Sequence, residues 1–412
     1  MSKRLSGCFL LLVFAGLSLF LLSCGSSSSR PAGLLYVLSQ GENNVGYFAI
    51  DLNNGHLSLI NKNTAADTTP SSILLNPAGS AAYVLNTGSN SLSSYTIGND
   101  GTLSSPTNTP VPVSGAVAMA RDAAGTFLIV VSQGTIVTQA CLKAPAQLGC
   151  GEPPAITVFS ASAGSLSQIG SQILTFIPTS VTASITGTFN DPDGGTVDGT
   201  LVQVTGNQDL VGTNDNTISE FVVQSSGTIT GPLLGSPYTT QSNPSSVISV
   251  KTTPTGGAGG VFVYVTNVTT NNLDTFKVCT VLDGSQCLSS SDDVRNAKMI
   301  PVGVPISVGL DPIALTVDPT NNFLYVVNHD SSSVSSFRIN PTTGALTALN
   351  PATVSTGADP VAISMHSTGK FLFVSNNGGS NVSAFNADTT SGALSNATSV
   401  ISAAQPAGLA AR

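Results

Sequence analysis

The sequence predicts an all-β fold, a seven-bladed β-propeller with four antiparallel strands in each blade. Three observations predict it. Nearly the same apolar six residues recur, as "FLYVVN" at 323–328 and as "FLFVSN" at 371–376. An aromatic strand followed by a glycine turn recurs seven times along the chain. The last residues, "QPAGLAAR", have the composition of a single strand that could close a ring of repeats.

The first recurring element is a short apolar strand that often ends in asparagine. It combines aromatic and β-branched residues, which favour strands, with a final residue that favours turns. Further copies of it lie at 36–37, 83–86, 129–131, 202–204 and 264–267, of which the copy at 202–204 is the weakest. A proline-led strand precedes many of these copies, as in "DPIALTVDPTN" and "DPVAISMHSTG".

The second recurring element is a strand that carries one aromatic residue and ends in a glycine turn. Its alternation of apolar and polar residues indicates a strand, and its glycine indicates a hairpin. The aromatic residues are Phe48, Tyr95, Phe159, Phe221, Phe276, Phe337 and Phe385, and the glycines are Gly55, Gly101, Gly164, Gly227, Gly284, Gly344 and Gly392. With an outer strand after each glycine, every unit has four strands. The first unit lacks its own first strand, and the C-terminal residues are expected to supply it.

This pattern resembles the YVTN-type propellers, in particular the seven-bladed lactonase family that includes 6-phosphogluconolactonase-like proteins. The resemblance is carried by the "YVxN" strands, the proline-led strands and the turns "TTGAL" at 342–346 and "TSGAL" at 390–394. It implies the propeller fold and lactone hydrolysis as an activity. For a phosphorylated sugar lactone it also implies cationic groups near the channel. We expect Arg121 at a hairpin, and the sequence does not predict a cationic cluster at the pore.

The N-terminal residues are typical of a lipoprotein signal peptide. Lys3 and Arg4 precede an uncharged run at 7–22, which is shorter than the ~20 residues that a spanning helix needs. "LLSC" at 21–24 resembles a lipobox with Cys24 as the site of lipid attachment. We therefore expect a signal peptide at 1–23, a flexible tether at 24–33 and a propeller at 34–412. An uncleaved anchor and an ordinary signal peptide are the alternatives.

Composition restricts the class of protein. Only 8% of the residues are charged, 41% are hydrophobic and the formal net charge is −8, which indicates a folded chain without a basic patch for nucleic acid. In an extracytoplasmic compartment we expect two local disulfides, Cys141 with Cys150 and Cys279 with Cys287. Zinc binding is disfavoured because the chain has no CxxC motif and three histidines. No cofactor is expected.

Candidate site residues lie in turns. The asparagines that end four apolar strands, Asn86, Asn267, Asn328 and Asn376, are expected on one face of the ring, where they either stabilise turns or bind a ligand. His329 and Asp330 follow on the same face and are candidates for a general base and its partner, with a solvated turn as the alternative. Long insertions at 132–154 and 206–217 are expected on that face too.

The segment "NDPDGGTVD" at 190–198 is expected on the opposite face. Asp191, Asp193 and Asp198 are candidate calcium ligands, but the segment lacks the spacing and the distal glutamate of a calcium loop. We expect a solvated turn there and no metal.

These observations lead to three hypotheses about function. The first is an exported, monomeric, lipid-anchored propeller that binds a small ligand or an envelope protein without catalysis. The alternative is a lactone hydrolase of the 6-phosphogluconolactonase-like class, and the third is a passive envelope component. In each case the membrane partner is the lipid anchor, at the outer membrane if the source has two membranes.

Overall fold

The computed structural model describes residues 33–135, 151–209, 216–253, 259–279 and 297–412, apart from positions 105, 107, 108, 163, 164 and 194. These residues form seven antiparallel sheets, one for each blade, which confirms the predicted all-β propeller. No helix long and apolar enough to span a membrane occurs among them. The predicted signal peptide, Cys24, Cys141, Cys150 and Cys287 lie outside the described residues.

Each blade is built from consecutive strands, except that blade 1 takes its inner strand from the C-terminus. Blade 1 contains β1 Leu34–Ser39, β2 Asn44–Ile50 and β3 Leu57–Ala65. Blade 2 contains β4 Pro70–Leu75, β5 Ala81–Asn86, β6 Ser91–Thr96 and β7 Val111–Pro112. Blade 3 contains β8 Ala116–Arg121, β9 Phe127–Ser132, β10 Ala155–Ser162 and β11 Ser165–Ile173. Blade 4 contains β12 Phe176–Asn190, β13 Thr196–Asp209, β14 Thr217–Val223, β15 Ile229–Thr230 and β16 Tyr238–Thr239. Blade 5 contains β17 Pro244–Lys251, β18 Val261–Asn267, β19 Asn272–Val278, β20 Met299–Pro301 and β21 Ile306–Ser307. Blade 6 contains β22 Pro312–Val317, β23 Phe323–Asn328, β24 Ser333–Ile339 and β25 Leu346–Ser355. Blade 7 contains β26 Pro360–Met365, β27 Phe371–Asn376, β28 Asn381–Ala387 and β29 Leu394–Ser402. The last strand, β30 Pro406–Ala411, completes blade 1.

The inner strands form a closed ring around a central channel. In order around the ring they are β30, β4, β8, β12, β17, β22 and β26, and each contacts the next. Strand β30 pairs antiparallel with β1, where Tyr36 lies opposite Ala410. Leu34 and Arg412 exchange two backbone hydrogen bonds of 2.9 and 2.8 Å. The predicted closure by the C-terminal strand is therefore confirmed.

The hydrophobic core is divided into seven clusters, each lying between two neighbouring blades. The second strand of a blade contributes alternate side chains to the clusters on its two sides. In β23, for example, Leu324 and Val326 pack against blade 5, whereas Tyr325 and Val327 pack against blade 7. Both faces of this strand are thus buried, which explains why its sequence is apolar from Phe323 to Val327.

The two recurring sequence elements contact each other across blade boundaries. The hydroxyl groups of Tyr264 and Tyr325 each donate a 2.9 Å hydrogen bond to the carbonyl of a glycine in the next blade, Gly344 and Gly392 respectively. Both glycines have positive φ, and a Cβ at Gly344 would lie 2.2 Å from the ring of Phe262. The "YV" strand and the "TGAL" turn therefore recur together because they form one joint between blades.

The ends of the strands define two faces of the ring. We call the upper face the one that carries the loops between second and third strands, such as 328–333, and the connections between blades, such as 307–312. The lower face carries the other hairpins, such as 317–323 and 339–346. Both long insertions begin and end on the upper face, although residues 136–150 and 210–215 within them lie outside the described residues.

Candidate functional site

The four asparagines that end apolar strands are buried inside their own blades. Asn86, Asn267, Asn328 and Asn376 each have a relative exposure of 0%. Each Nδ2 donates to two side chains of the following strand, at 3.3 and 3.0 Å for Asn86, 3.0 and 3.0 Å for Asn267, 3.1 and 2.9 Å for Asn328, and 2.6 and 2.9 Å for Asn376. This placement fits the turn-stabilising alternative, and we do not include these residues in the candidate site.

A cluster of three titratable side chains lies on the upper face of blade 6. His329 Nδ1 lies 2.8 Å from Asp330 Oδ1 and 3.2 Å from Asp311 Oδ2. His329 and Asp330 follow β23, and Asp311 directly precedes β22, whose residues line the channel. The structure thus brings together the predicted His329 and Asp330 and adds Asp311, which lies eighteen positions earlier in the chain.

The backbone of Asp311 is fixed by hydrogen bonds from both neighbouring loops. Its N–H donates to Asn271 Oδ1 of blade 5 at 2.8 Å, and its carbonyl accepts from the N–H of His329 at 2.9 Å. Its φ of 55° lies in the left-handed region, which aspartate tolerates better than most residues. The carboxylate is therefore held beside His329 by the fold, as a preorganised site requires.

The electrostatics of the cluster favour one role for each nitrogen of His329. Burial raises the pKa of Asp311, and the charge of Asp330 raises it further, whereas His329 lowers it. Two carboxylates face Nδ1, so this nitrogen carries the proton in the stable tautomer and Nε2 is left as an acceptor. Because the His329 side chain is 30% exposed, a water or substrate can reach it.

The same three side chains offer a set of metal ligands. One imidazole nitrogen and two carboxylate oxygens lie within 4.8 Å of one another, and this is the single such group among the described residues. The candidate calcium ligands Asp191, Asp193 and Asp198 lie at the β12–β13 hairpin of the lower face and form no such group. There, Asp191 Oδ1 accepts the N–H of Asp193 at 3.0 Å, as in a turn.

The other two histidines and the remaining predicted groups lie away from this cluster. His366 is buried at the lower end of β26 and bonds Thr368 through Nδ1 at 2.8 Å, and His56 lies in an exposed hairpin of the lower face. Cys279 is buried, and its pairing with Cys287 stays a prediction. Arg121 ends β8 at a hairpin as expected, but its side chain also lines the channel, which the sequence did not predict.

The fold is therefore a seven-bladed propeller that carries a His–carboxylate cluster on its upper face. The family described as "Lactonase, 7-bladed beta-propeller" matches residues 29–121, 257–350 and 283–411. These segments cover more than half of the chain, and the chain belongs to this family. No curated protein matches it.

Solved structures share the fold at low sequence identity. A candidate 6-phosphogluconolactonase from Bacteroides uniformis ATCC 8492 is 15% identical, with a TM-score of 0.65 over 93% of this chain and 100% of that one. A periplasmic gluconolactonase from Pseudomonas aeruginosa is 15% identical, with a TM-score of 0.63 over 92% of this chain and 98% of that one. A protein from Lactobacillus plantarum is also 15% identical, with a TM-score of 0.64 over 92% and 99%. At this identity the likeness shows the fold alone.

Proposed function

We propose that this protein hydrolyses a lactone at the upper face, with His329 as the general base. The observation that carries the proposal is the Asp311–His329–Asp330 cluster at the end of a channel-lining strand. Membership of the lactonase family and fold neighbours named for gluconolactone hydrolysis support the reaction class. They favour the hydrolase over the non-catalytic binding protein.

The reaction follows from the tautomer of His329. Nε2 accepts a proton from a water molecule, whose oxygen attacks the lactone carbonyl carbon. The tetrahedral intermediate then collapses with cleavage of the bond between the carbonyl carbon and the ring oxygen. The imidazolium returns its proton to that oxygen, and the product is a hydroxy acid. Asp311 and Asp330 stabilise the transient imidazolium through Nδ1.

The surroundings of the cluster favour an uncharged lactone. The upper face carries no lysine or arginine among the residues whose side chains the structure describes, whereas the carboxylates of Asp311 and Asp330 lie beside His329. A phosphorylated substrate would meet these carboxylates without a compensating cation among the described residues. Leu310, which is 55% exposed beside Asp311, offers an apolar contact for the carbon atoms of the lactone.

The test is a hydrolysis assay with the purified chain and a panel of neutral and phosphorylated lactones. We expect turnover of a neutral lactone, and His329→Ala should lower the rate by about 10²-fold or more, the usual contribution of a general base. Asp311→Asn should lower it by a smaller factor, because the imidazole remains but loses its orienting carboxylate. His56→Ala, which removes an exposed histidine of the lower face, is the matched control and should leave the rate unchanged.

Three outcomes would contradict this assignment. The absence of turnover across the panel would favour the non-catalytic binding protein. Turnover that survives in His329→Ala would require a different base. Turnover that a chelator abolishes would assign the three side chains to a bound divalent metal and its water, in place of the free imidazole base.

The location of the protein is a separate proposal. We propose that it is lipid-anchored outside the cytoplasm through Cys24, on the support of the lipobox-like "LLSC" at 21–24 and the apolar run before it. A small neutral lactone, unlike a cytosolic sugar phosphate, fits that compartment as a substrate. A monomeric state and the two disulfides belong to the same proposal.

A further inference from the structure

The chain contains two Asn-Gly sequences, Asn54-Gly55 and Asn377-Gly378. In such a sequence the backbone nitrogen of the glycine can attack the side-chain amide carbon of the asparagine, because glycine has no Cβ to hinder the approach. The reaction closes a succinimide ring and releases the amide nitrogen as ammonia, together with the proton of the glycine nitrogen. That nitrogen must first leave any hydrogen bond it makes, so the surroundings of each glycine determine which sequence reacts faster.

The turn that contains Asn54 and Gly55 is held against this reaction. The Gly55 N–H donates a 2.8 Å hydrogen bond to the carbonyl of Asp51, and Asn54 Oδ1 accepts the N–H of His56 at 2.8 Å. Gly55 is buried with a φ of 75°, and a Cβ there would lie 2.8 Å from the ring of Phe371. Attack by the Gly55 nitrogen would break both hydrogen bonds and disturb the packing between blades 1 and 7.

The upper-face loop at 376–381 leaves Asn377 and Gly378 open to the same reaction. Gly378 is exposed, and its N–H donates no hydrogen bond within the described part of the chain. Among the described residues, the Asn377 side chain makes one bond, from Nδ2 to the carbonyl of Pro406 at 3.5 Å, near the outer limit for a hydrogen bond. Neither the attacking nitrogen nor the amide is therefore held back by a strong contact.

The main chain on either side of the Gly378 nitrogen is fixed to the connection between blades 6 and 7. The N–H of Asn377 donates to the carbonyl of Asp359 at 2.9 Å, and that of Gly379 donates to the carbonyl of Ala358 at 3.0 Å. A Cβ at Gly378 would collide with the carboxylate of Asp359, so packing requires a glycine at this position. The same lack of a Cβ leaves the Gly378 nitrogen accessible to the Asn377 side chain.

We propose that Asn377 is a site of spontaneous modification, at which the succinimide forms and is then hydrolysed. Water adds to one of the two carbonyl carbons of the ring and the bond from that carbon to the ring nitrogen breaks, which gives aspartate or isoaspartate. Either product places a new carboxylate beside Asp359 on the upper face, and isoaspartate also lengthens the main chain of the loop by one carbon atom. The proposal does not depend on lactone hydrolysis, because it needs only water and the two residues.

The test is peptide mapping by mass spectrometry after the purified chain has aged in mildly alkaline buffer prepared with heavy-oxygen water. Each ring opening inserts one heavy oxygen, which separates conversion during ageing from earlier conversion, and an isoaspartate methyltransferase identifies isoaspartate. We expect Asn377 to convert about tenfold faster than Asn54, because the Gly55 nitrogen must first lose its hydrogen bond. Exposure alone would predict the reverse order, since Asn54 is exposed and Asn377 is partly buried.

The chain unfolded in urea is the reference, and there both asparagines should convert at similar rates because a glycine follows each. Asn377→Gln, whose longer side chain closes a ring slowly, should remove conversion at this position. Asn54→Gln is the matched control and should leave the conversion of Asn377 unchanged, and thermal midpoints should show that each variant is folded. Equal rates at the two asparagines of the folded chain, or faster conversion of Asn54, would overturn the proposal. So would a folded chain in which Asn377 stays intact while the unfolded chain converts.

Discussion

Glu220 is a carboxyl group without charge compensation. It is 0% exposed in β14, where it shares a side of the strand with Ile218 and Val222, which pack against blade 5. Its Oε1 accepts a 3.3 Å hydrogen bond from Gln203 Nε2, and its Oε2 has no partner among the described residues. Burial raises the pKa of Glu220 to about 8, against a small lowering by Gln203. The group is therefore neutral in the folded protein at pH 7.

This burial predicts a pH-dependent stability. The ordinary pKa of the group is 4.5, so between that pH and about 8 the folded chain holds a proton that the unfolded chain has lost. The contribution of Glu220 to the free energy of unfolding is therefore fully present below pH 4.5, and it decreases as pH rises towards 8. Glu220→Gln stays neutral and should avoid this loss. We expect similar free energies of unfolding at pH 5 and a variant that is more stable by about 2 to 4 kcal/mol at pH 8.

Urea unfolding of parent and variant between pH 5 and pH 8 measures this difference. Glu42→Gln, at an exposed carboxyl of the upper face, is the control and should leave the pH dependence of the parent unchanged. If Glu220→Gln retains the same decrease with pH as the parent, Glu220 is not the group responsible.

At the residue scale, the sequence predicted the surroundings of a side chain better than it predicted which residues that side chain contacts. The asparagines of the "YVxN" strands were expected in turns, and their side chains do bond across those turns. His329 and Asp330 were found because they are neighbours in sequence. Asp311 was not, because its proximity to His329 depends on a blade connection and a loop meeting on one face. Glu220 gave no signal, since a single carboxyl within an apolar strand does not reveal whether it is paired.

At the scale of the element, blade 1 departs from the repeat. Ser39 and Gly46 occupy the positions at which blades 6 and 7 have an asparagine and a serine joined by a 2.9 Å hydrogen bond. A cavity of about 370 Å³ lies between blades 7 and 1, lined by both residues together with Phe48 and Leu59. The blade has lost a buried hydrogen bond that four others keep.

Restoring this pair should show a favourable coupling between the two side chains. Ser39→Asn removes the 2.6 Å hydrogen bond from Ser39 Oγ to the carbonyl of Ala404, and the double variant Ser39→Asn, Gly46→Ser should exceed Ser39→Asn alone in free energy of unfolding by about 1 kcal/mol, through one buried hydrogen bond. Ser39→Asn alone should be neutral or destabilising, because its amide would be buried without the new hydroxyl. A double-mutant cycle measured by urea unfolding checks this, and strictly additive effects would show that the two side chains do not interact.

The strands themselves were largely predictable. The second and third strands are buried on both sides or in alternation, so their apolar patterns stand out in the sequence, even in the weak fourth unit, where 202–204 lies in β13. The inner strand of that unit, β12, was not located, although it is fifteen residues long. Inner strands border the channel, where few apolar side chains are required, and β12 is correspondingly rich in serine and threonine. The outer strands of blades 4 and 5 are split into short pieces that leave no periodic signal.

At the scale of the whole molecule, the sequence predicted the closed ring of blades but not how lysines and arginines are distributed between its two faces. Closure followed from counting units, because the first unit lacked an inner strand and the C-terminal residues could provide one. The location of the described lysines and arginines on the lower face was not apparent, since residues of both faces alternate along the chain. Arg121 reads as a hairpin residue in sequence, and its position at the channel emerges only when the seven inner strands are arranged in a circle.

The ring is stable only if its last strand is present. Strand β30 pairs with β1 and also contacts the inner strands of blades 7 and 2, and Leu409 packs with Leu35, Val37 and Phe373 between blades 7 and 1. Its removal would expose the edge of β1 and open the core cluster at the seam. We expect deletion of residues 405–412 to lower the thermal midpoint far more than deletion of residues 25–31, and Leu409→Ala to destabilise a folded chain by about 2 kcal/mol or more. Thermal unfolding followed by circular dichroism measures all three, with the Leu409 variant giving a value even if the truncated chain does not fold. Equal midpoints for the two deletions, together with an unchanged midpoint in Leu409→Ala, would show that the ring does not depend on its C-terminal strand.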